Sequence, residues 1–158
     1  MLIFQYMINT LSFKSNYGWI SCEEKDHKIT SIFFGKKNTK GSSKSLNKLK
    51  KEIINYLSGK SKKIQFSYLM LGSRLQIKIW KELQKIPYGK TKTYGQIAKK
   101  LKTSPRYVGN VCGQNSFLLA VPCHRVIRSD GKLGGFSGLG GIKLKERLLN
   151  LELKIKNL

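Results

Sequence analysis

The second half of the chain carries helix signals spaced so closely that only short helices joined by tight turns fit them. Ser73 precedes an apolar helical face that Pro87 ends. Thr93 precedes the segment YGQIAKKL, and Ser104 stands directly before Pro105, the residue type favoured at the first position of a helix. A helix, a short turn and a second helix form the outline of a helix-turn-helix, although many helical hairpins share it.

The second helix of this pair, PRYVGNVCGQN, has two faces of opposite character. One face is apolar and is expected to pack inward: Pro105, Val108, Val111 and Cys112. The other face combines one cation, one amide and two glycines: Arg106, Gly109, Asn110 and Gly113. Such a face suits the narrow minor groove of DNA, with the arginine entering the base stack. The alternative is that the two glycines only allow helices to pack closely.

Cysteine, histidine and arginine follow one another at Cys123, His124 and Arg125, inside the apolar run LLAVPCHRVI that predicts a buried strand. Pro122 fixes its own φ and forces the residue before it to be extended, so the thiol lies on a stiff segment. Successive side chains of a strand point to opposite faces, so the thiol and the imidazole would not touch directly. A proton passing between them would need an intervening water.

A buried histidine and arginine need a partner, because an unpaired polar or charged group costs a few kcal/mol. The last predicted helix, IKLKERLLNLELKI, supplies one: Glu152 follows Leu148 by four residues and Leu149 by three, on the apolar side. We therefore predict Cys123, a water, His124 and Glu152 in series, with the carboxylate holding the imidazole that draws the thiol proton. The alternative is a frayed helix end with Glu152 in water.

A glycine-rich loop, SDGKLGGFSGLGGIK, separates the cysteine segment from the last helix. It lacks the Lys-Ser/Thr ending of a phosphate-binding P-loop, so we interpret it as the wall of a pocket. Phe136 offers an aromatic surface and Ser137 a hydrogen-bonding tip. These two side chains suit a flat ligand such as a nucleobase.

The first half of the chain has a different sequence pattern from the second, with several short strand-like stretches before a single helix. The stretches LIFQYMI, YGWIS and KITSIFF predict a small antiparallel sheet, and LNKLKKEIINYL predicts a helix closed by Gly59. The apolar start is too short and wrongly flanked for a signal peptide or a membrane span, so we expect an intracellular protein. We predict an α+β chain with a first domain at 1–68 and a mostly helical second domain at 72–158.

The formal net charge of +23 favours a polyanionic partner, although biased composition alone would also produce it. The three cysteines, an odd number at irregular spacing, do not fit a zinc ribbon or a disulfide scaffold. Cys22 and His27 offer two possible metal ligands without a second pair to complete a tetrahedral site. We therefore expect no bound metal. Because the apolar start is too short for a membrane span, we also expect no membrane partner.

Several of these segments together resemble the methylated-DNA–protein-cysteine methyltransferases, the O6-alkylguanine-DNA alkyltransferases. The matching motifs are IPYG (86–89), TYGQIA (93–98), VGN (108–110), PCHRV (122–126) and LLNLE (148–152). The resemblance covers 72–152 and implies a winged helix-turn-helix as the second domain. For the first domain it implies a small ribonuclease-H-like α/β fold, with which this chain agrees only in length and outline.

The resemblance also implies the chemistry. The thiol of Cys123 accepts the alkyl group of O6-alkylguanine, or of O4-alkylthymine, in duplex DNA, and His124 and Glu152 activate the thiol through water. The thioether product is not readily hydrolysed, so each molecule reacts once, as a monomer and without a cofactor. Such a protein works in the cytoplasm of a prokaryote or in the nucleus of a eukaryote.

Further roles follow from the same resemblance. Tyr94 rotates the target nucleotide outward and assists protonation of the departing guanine, while Arg106 fills the space left in the stack. The remaining positions form a minor-groove surface of Gly109, Asn110 and Gly113, the hinge residue Asn115, and a guanine pocket of Val126, Phe136 and Ser137. Phe136 stands where many relatives have tyrosine, so one hydroxyl contact to the base is expected to be absent.

Three other functions fit parts of the sequence. A binding-only sensor of alkylated bases would share the fold, but such relatives typically lack the cysteine. A helix-turn-helix regulator would leave His124, Arg125 and the inward Glu152 unexplained. A cysteine hydrolase is disfavoured, because an adjacent cysteine and histidine are poorly placed for a catalytic triad.

Overall fold

The computed structural model describes residues 7–157, and the chain divides into the units Met1–Met70 and Leu71–Leu158. In the first unit, β1 (Asn9–Ser15), β2 (Gly18–Lys25) and β3 (Lys28–Phe34) form an antiparallel sheet in the order β1-β2-β3. The predicted strands YGWIS and KITSIFF correspond to β2 and β3. The predicted strand LIFQYMI lies largely outside the described residues, and β1 was missed because its sequence, NTLSFKS, is mostly polar.

Helix α1 (Lys44–Leu57) packs on this sheet. Its N-cap residue, Ser43, accepts a hydrogen bond from the backbone of Leu46 and donates one of 2.8 Å to the carboxylate of Glu24 on β2. The buried face consists of Leu46, Leu49, Ile53, Tyr56 and Leu57. Ile54, also apolar, is 43% exposed, because it is rotated by about 100° from its buried neighbour Ile53.

The second unit consists mainly of α2 (Arg74–Gln84), α3 (Tyr94–Leu101), α4 (Pro105–Gly113) and α5 (Gly141–Lys156). Two short strands, β4 (Lys92–Thr93) and β5 (Val126–Ile127), pair in parallel. The predicted caps are confirmed: Ser73, Thr93 and Ser104 each accept a hydrogen bond from the first turn of the helix that follows. None of the helices within residues 7–157 is long and apolar enough to cross a membrane.

The segment around Cys123 is not the predicted strand. Residues Cys123–Arg125 form a 3₁₀ turn, in which the backbone N–H of Arg125 donates to the carbonyl of Pro122 at 2.9 Å, and only Val126–Ile127 are extended. The apolar run misled the prediction because buried irregular segments have the same composition as buried strands. In such a turn, neighbouring side chains lie about 120° apart, not on opposite faces.

The predicted fold class is confirmed, since a small sheet comes first and helices follow. Helices α3 and α4 pack on each other across the short turn that begins at Lys102, which has the left-handed φ of 53°. The inward face predicted for α4 holds for Val108, Val111 and Cys112, but Pro105 is exposed, because the first residue of the helix projects beyond its packed part. The ribonuclease-H-like and winged descriptions and the two domain boundaries stay predictions.

Candidate active site

The thiol of Cys123 lies at the start of the 3₁₀ turn and is 3% exposed. The side chain of Asn115 reaches it from just beyond α4, because Nδ2 donates to Sγ at 3.3 Å and to the carbonyl of Val121 at 2.8 Å. Oδ1 of the same side chain accepts a hydrogen bond from the backbone of Phe117 at 2.8 Å. Asn115, expected only as a hinge, therefore holds both the connecting loop and the sulfur atom.

The carboxylate of Glu152 brings together residues from three parts of the second unit. Nε2 of His124 lies 2.6 Å from Oε1, and the guanidinium of Arg125 donates to both oxygens at 2.9 to 3.1 Å. The backbone N–H of Gly89 donates to Oε2 at 3.0 Å, while Arg125 also donates to the carbonyl of Ile86 at 2.7 Å. The structure thus places Glu152 in the interior beside His124, and not in water at a frayed helix end.

These surroundings set the protonation states of the pair. Burial lowers the pKa of His124, and the neighbouring carboxylate only partly opposes this effect, so the imidazole is neutral near pH 7. Burial raises the pKa of Glu152, but the hydrogen bonds of His124 and Arg125 and the charge of the guanidinium outweigh it and lower that pKa to about 2. The arrangement is a neutral imidazole held by an ionised carboxylate.

The thiol itself is protonated at rest. Burial raises the pKa of Cys123 from its ordinary value of 9.0, while the hydrogen bond from Asn115 and the positive charge of Lys145 partly offset the increase. At neutral pH the sulfur therefore carries its proton. Reaction as a nucleophile needs a base to remove that proton.

Lys145 on α5 is a site residue that no sequence signal singled out, because lysines occur in nearly every segment of the chain. Its side chain is fully buried, and Nζ donates to the carbonyls of Val126 at 2.6 Å and Gly135 at 3.2 Å. The same Nζ lies 3.4 Å from the hydroxyl of Tyr94. Lys145 therefore connects β5, the glycine-rich loop and α3 around the thiol of Cys123.

Tyr94 is the first residue of α3 and is half-buried beside Lys145. Burial, together with the charges of the Cys112 and Cys123 thiolates, raises the pKa of Tyr94 to about 12. Its hydroxyl is therefore protonated at neutral pH and can donate a hydrogen bond or a proton.

A cavity of about 940 Å³ reaches the thiol. The predicted site residues on its wall are Tyr94, Arg106, Gly109, Gly113, Cys123, Phe136 and Ser137. His124, Glu152, Asn115 and Val126 are buried outside this wall, and Asn110 is exposed on α4. Cys112, expected as a core residue, is buried and also lines the cavity. Two exposed residues that the sequence analysis did not identify, Arg128 and Ser129, lie on the same wall.

The surroundings of the two glycines on the exposed face of α4 distinguish a DNA-binding surface from close packing between helices. Among residues 7–157, a methyl group at Gly113 would meet no side chain and no backbone outside its own helix within 4 Å. At Gly109 the nearest atoms belong to the ring of Tyr94, at the ordinary contact distance of 3.9 Å. Close packing between helices therefore does not explain these glycines, and the face is left open for a partner.

The residues considered as metal ligands lie apart. Cys22 is fully buried in β2, where burial raises its pKa to about 12, and His27 lies in the turn before β3 with a φ of 62°. Within the described part of the chain, no group of three or more His, Cys, Asp or Glu side chains is placed to hold a metal ion.

Comparison with known proteins gives consistent results. Residues 74–154 match the family described as 6-O-methylguanine DNA methyltransferase, DNA binding domain. A methylated-DNA–protein-cysteine methyltransferase of Metallosphaera sedula is 35% identical over 149 residues, which are 92% of this chain and 94% of that protein. A crystal structure of Mycobacterium tuberculosis OGT in complex with DNA has a TM-score of 0.82 and 29% identity, covering 92% of this chain and 93% of the other.

Other relatives match over a shorter part. A protein of the same name from Sulfolobus acidocaldarius is 44% identical over 98 residues, which are 62% of this chain and 61% of that protein. The chain spans 56% and 47% of the lengths of two further curated relatives of that name. The family match over residues 74–154 lies within the unit that carries the cavity and the thiol.

Proposed function

The chain belongs to the methylated-DNA–protein-cysteine methyltransferase family, and on that basis we propose that it repairs DNA by direct alkyl transfer to Cys123. The substrates would be O6-alkylguanine and O4-alkylthymine in duplex DNA, and each molecule would react once. The observation that carries the proposal is a thiol on the wall of a cavity, followed in sequence by a histidine that a buried carboxylate holds. The protein would act as a monomer wherever the cell keeps its DNA.

The first step is removal of the thiol proton. Because Nε2 of His124 is engaged by Glu152, the proton would pass through a water to Nδ1 on the other side of the ring. The ionised Glu152 then stabilises the imidazolium that forms. The hydrogen bond from Asn115 and the charge of Lys145 stabilise the thiolate left behind.

The second step is displacement at a saturated carbon. A bond forms between Sγ of Cys123 and the alkyl carbon while the bond between that carbon and O6 of guanine breaks, and the electron pair stays with the base. Tyr94 would supply the proton that the departing guanine needs, and Lys145, 3.4 Å from its hydroxyl, would stabilise the resulting phenolate. A thioether offers water no carbonyl to attack, so the thiol is not regenerated.

The remaining features supply DNA binding. The net charge of +23 attracts the phosphate backbone, and the glycine face of α4 allows close approach to the minor groove. Arg106 projects from this face on the wall of the cavity, where it would occupy the space of the rotated nucleotide. A binding-only sensor or a transcription regulator would have no use for the thiol and the buried His124–Glu152 pair.

Intact mass measurement tests the proposal directly. After incubation with a duplex oligonucleotide that contains O6-methylguanine, the protein should gain one methyl group, and peptide mapping should locate it on Cys123 and not on Cys112. Cys123→Ser should gain nothing, while Cys22→Ala, which removes a thiol from the first unit, should react like the wild type. An unchanged wild-type mass would exclude alkyl transfer.

A further inference from the structure

We propose that Arg128 binds a DNA phosphate at the rim of the cavity, beside the nucleotide that enters it. This inference rests on the function proposed above and extends it, because Arg128 lies outside the motifs that carry the family resemblance. It concerns how the DNA backbone is held, and it assigns no part in the chemical step to this residue.

The position of Arg128 is the first support. It directly follows β5, lines the cavity together with Tyr94 and Arg106, and keeps 57% of its side chain exposed. A methyl group at Gly134 would lie 3.1 Å from the hydroxyl of Tyr94 and 3.5 Å from Cγ of Arg128. The side chains of Arg128 and Tyr94 thus pack beside the same glycine, Gly134. Arg128 is therefore close to Tyr94, the residue proposed to rotate the nucleotide.

A tight turn fixes the backbone that carries this side chain. The backbone N–H of Arg128 donates to the carbonyl of Lys132 at 2.9 Å, and that of Gly131 donates to the carbonyl of Arg128 at 3.0 Å. Gly131 has a φ of 81°, which a glycine adopts without strain. Because the backbone is ordered in advance, binding a phosphate would restrict only the rotamers of the arginine.

Asp130 orients the guanidinium in the absence of DNA. Nη2 of Arg128 lies 3.1 Å from Oδ2 of Asp130, and 42% of the aspartate side chain is exposed. Exposed ion pairs of this kind contribute little to stability, so a phosphate can replace the carboxylate at small cost. A phosphate accepts two parallel hydrogen bonds from a guanidinium, whereas the negative charge of Asp130 would compete with it.

The salt dependence of DNA binding tests the inference. A Cys123→Ser background keeps the lesion unreacted while the dissociation constant for a duplex containing O6-methylguanine is measured by fluorescence anisotropy between about 50 and 200 mM salt. Arg128→Ala should reduce the slope of log affinity against log salt by about 0.9 and weaken binding about tenfold. The matched control is Lys154→Ala, which removes one charge from an exposed position on α5 outside the cavity wall and should leave the slope nearly unchanged.

Two further variants give results that a general loss of charge would not. Asp130→Asn keeps the Oδ1 that accepts the backbone N–H of Lys132 at 3.0 Å but removes the competing charge, so binding should become about threefold tighter. Arg128→Lys should keep the slope of log affinity against log salt but bind the duplex about threefold more weakly, because an ammonium cannot form the bidentate hydrogen bonds of a guanidinium.

Equal slopes for Arg128→Ala and Lys154→Ala, or weaker binding by Asp130→Asn, would overturn the inference. The binding measurement needs no alkyl transfer. A wild-type protein that takes up no methyl group would therefore contradict the proposed function separately, through the mass measurement, and the two failures remain distinguishable.

Discussion

His124 and Glu152 lie 2.6 Å apart, measured from Nε2 to Oε1, and neither side chain has any exposed surface. Arg125 contacts the same carboxylate through its guanidinium. One carboxylate therefore orients the imidazole of the residue that follows Cys123 and balances a buried cation. Loss of its charge should reduce both the stability of the fold and the alkyl-transfer rate.

Glu152→Gln tests this double role. The amide preserves the shape of the side chain but leaves Arg125 without its counter-ion, so the free energy of unfolding in urea should fall by about 3 to 5 kcal/mol. His124→Asn keeps the Arg125–Glu152 pair, so it should cost less stability while slowing methyl transfer at least a hundredfold. A Glu152→Gln protein that transfers methyl groups at the wild-type rate would contradict the proposed proton path.

The same carboxylate predicts the dependence of stability on acid. A glutamate titrates near 4.5 when unfolded but at about 2 in this fold, so the unfolded state binds more protons between those values. The stabilisation is complete above about pH 4.5 and should be lost as the pH falls towards 2, by about 3 kcal/mol. Urea unfolding across this range should show the wild type losing its advantage over Glu152→Gln, and a constant difference would be inconsistent with an ionised Glu152.

The helices of the second unit could be predicted because their signals are local. Ser73, Thr93 and Ser104 hydrogen-bond to backbone groups within three residues, so sequence spacing alone identifies them. The inward position of Glu152 also followed from helical spacing and from the need of His124 for a partner.

The shape of the cysteine segment and the role of Lys145 could not be predicted in this way. The 3₁₀ turn places Arg125 where it reaches Ile86 and Glu152, which are distant in sequence. Lys145 is distinguished from other lysines only by the carbonyls of Val126 and Gly135 that surround it in the folded state. Such long-range contacts leave no periodic or local signal.

Asn115→Ala should shift the reactivity of the thiol to higher pH. The hydrogen bond from Nδ2 of Asn115 favours the thiolate, so its loss should raise the pKa of Cys123 further. Alkylation of Cys123 by iodoacetamide, followed by mass mapping over a range of pH, measures this directly. Asn115→Asp places a negative charge beside the sulfur and should shift the curve of alkylation against pH further. Coincident curves for the wild type, Asn115→Ala and Asn115→Asp would refute the hydrogen bond between Asn115 and Cys123.

Lys145→Met should slow methyl transfer about tenfold or more, because it removes the cation that stabilises the thiolate and the phenolate. Two buried carbonyls also lose their donor, so the free energy of unfolding should fall by about 1 to 3 kcal/mol. Single-turnover rates across pH separate these effects, because an electrostatic role shifts the rate profile to higher pH and a purely structural one does not. A rate profile that does not shift with pH would show that Lys145 has only a structural role.

Gly113→Ala should change stability and DNA binding in opposite directions. Within residues 7–157, an added methyl at Gly113 meets no atom within 4 Å beyond its own helix and chain neighbours, so alanine should stabilise α4 by up to about 1 kcal/mol and raise Tm. The same methyl would keep the helix backbone from the floor of the minor groove, so affinity for duplex DNA should fall about tenfold. Asn150→Ala, an exposed neutral substitution on α5, is the matched control that should leave DNA affinity unchanged. A glycine retained only for packing would give the reverse result, a less stable protein with normal DNA binding.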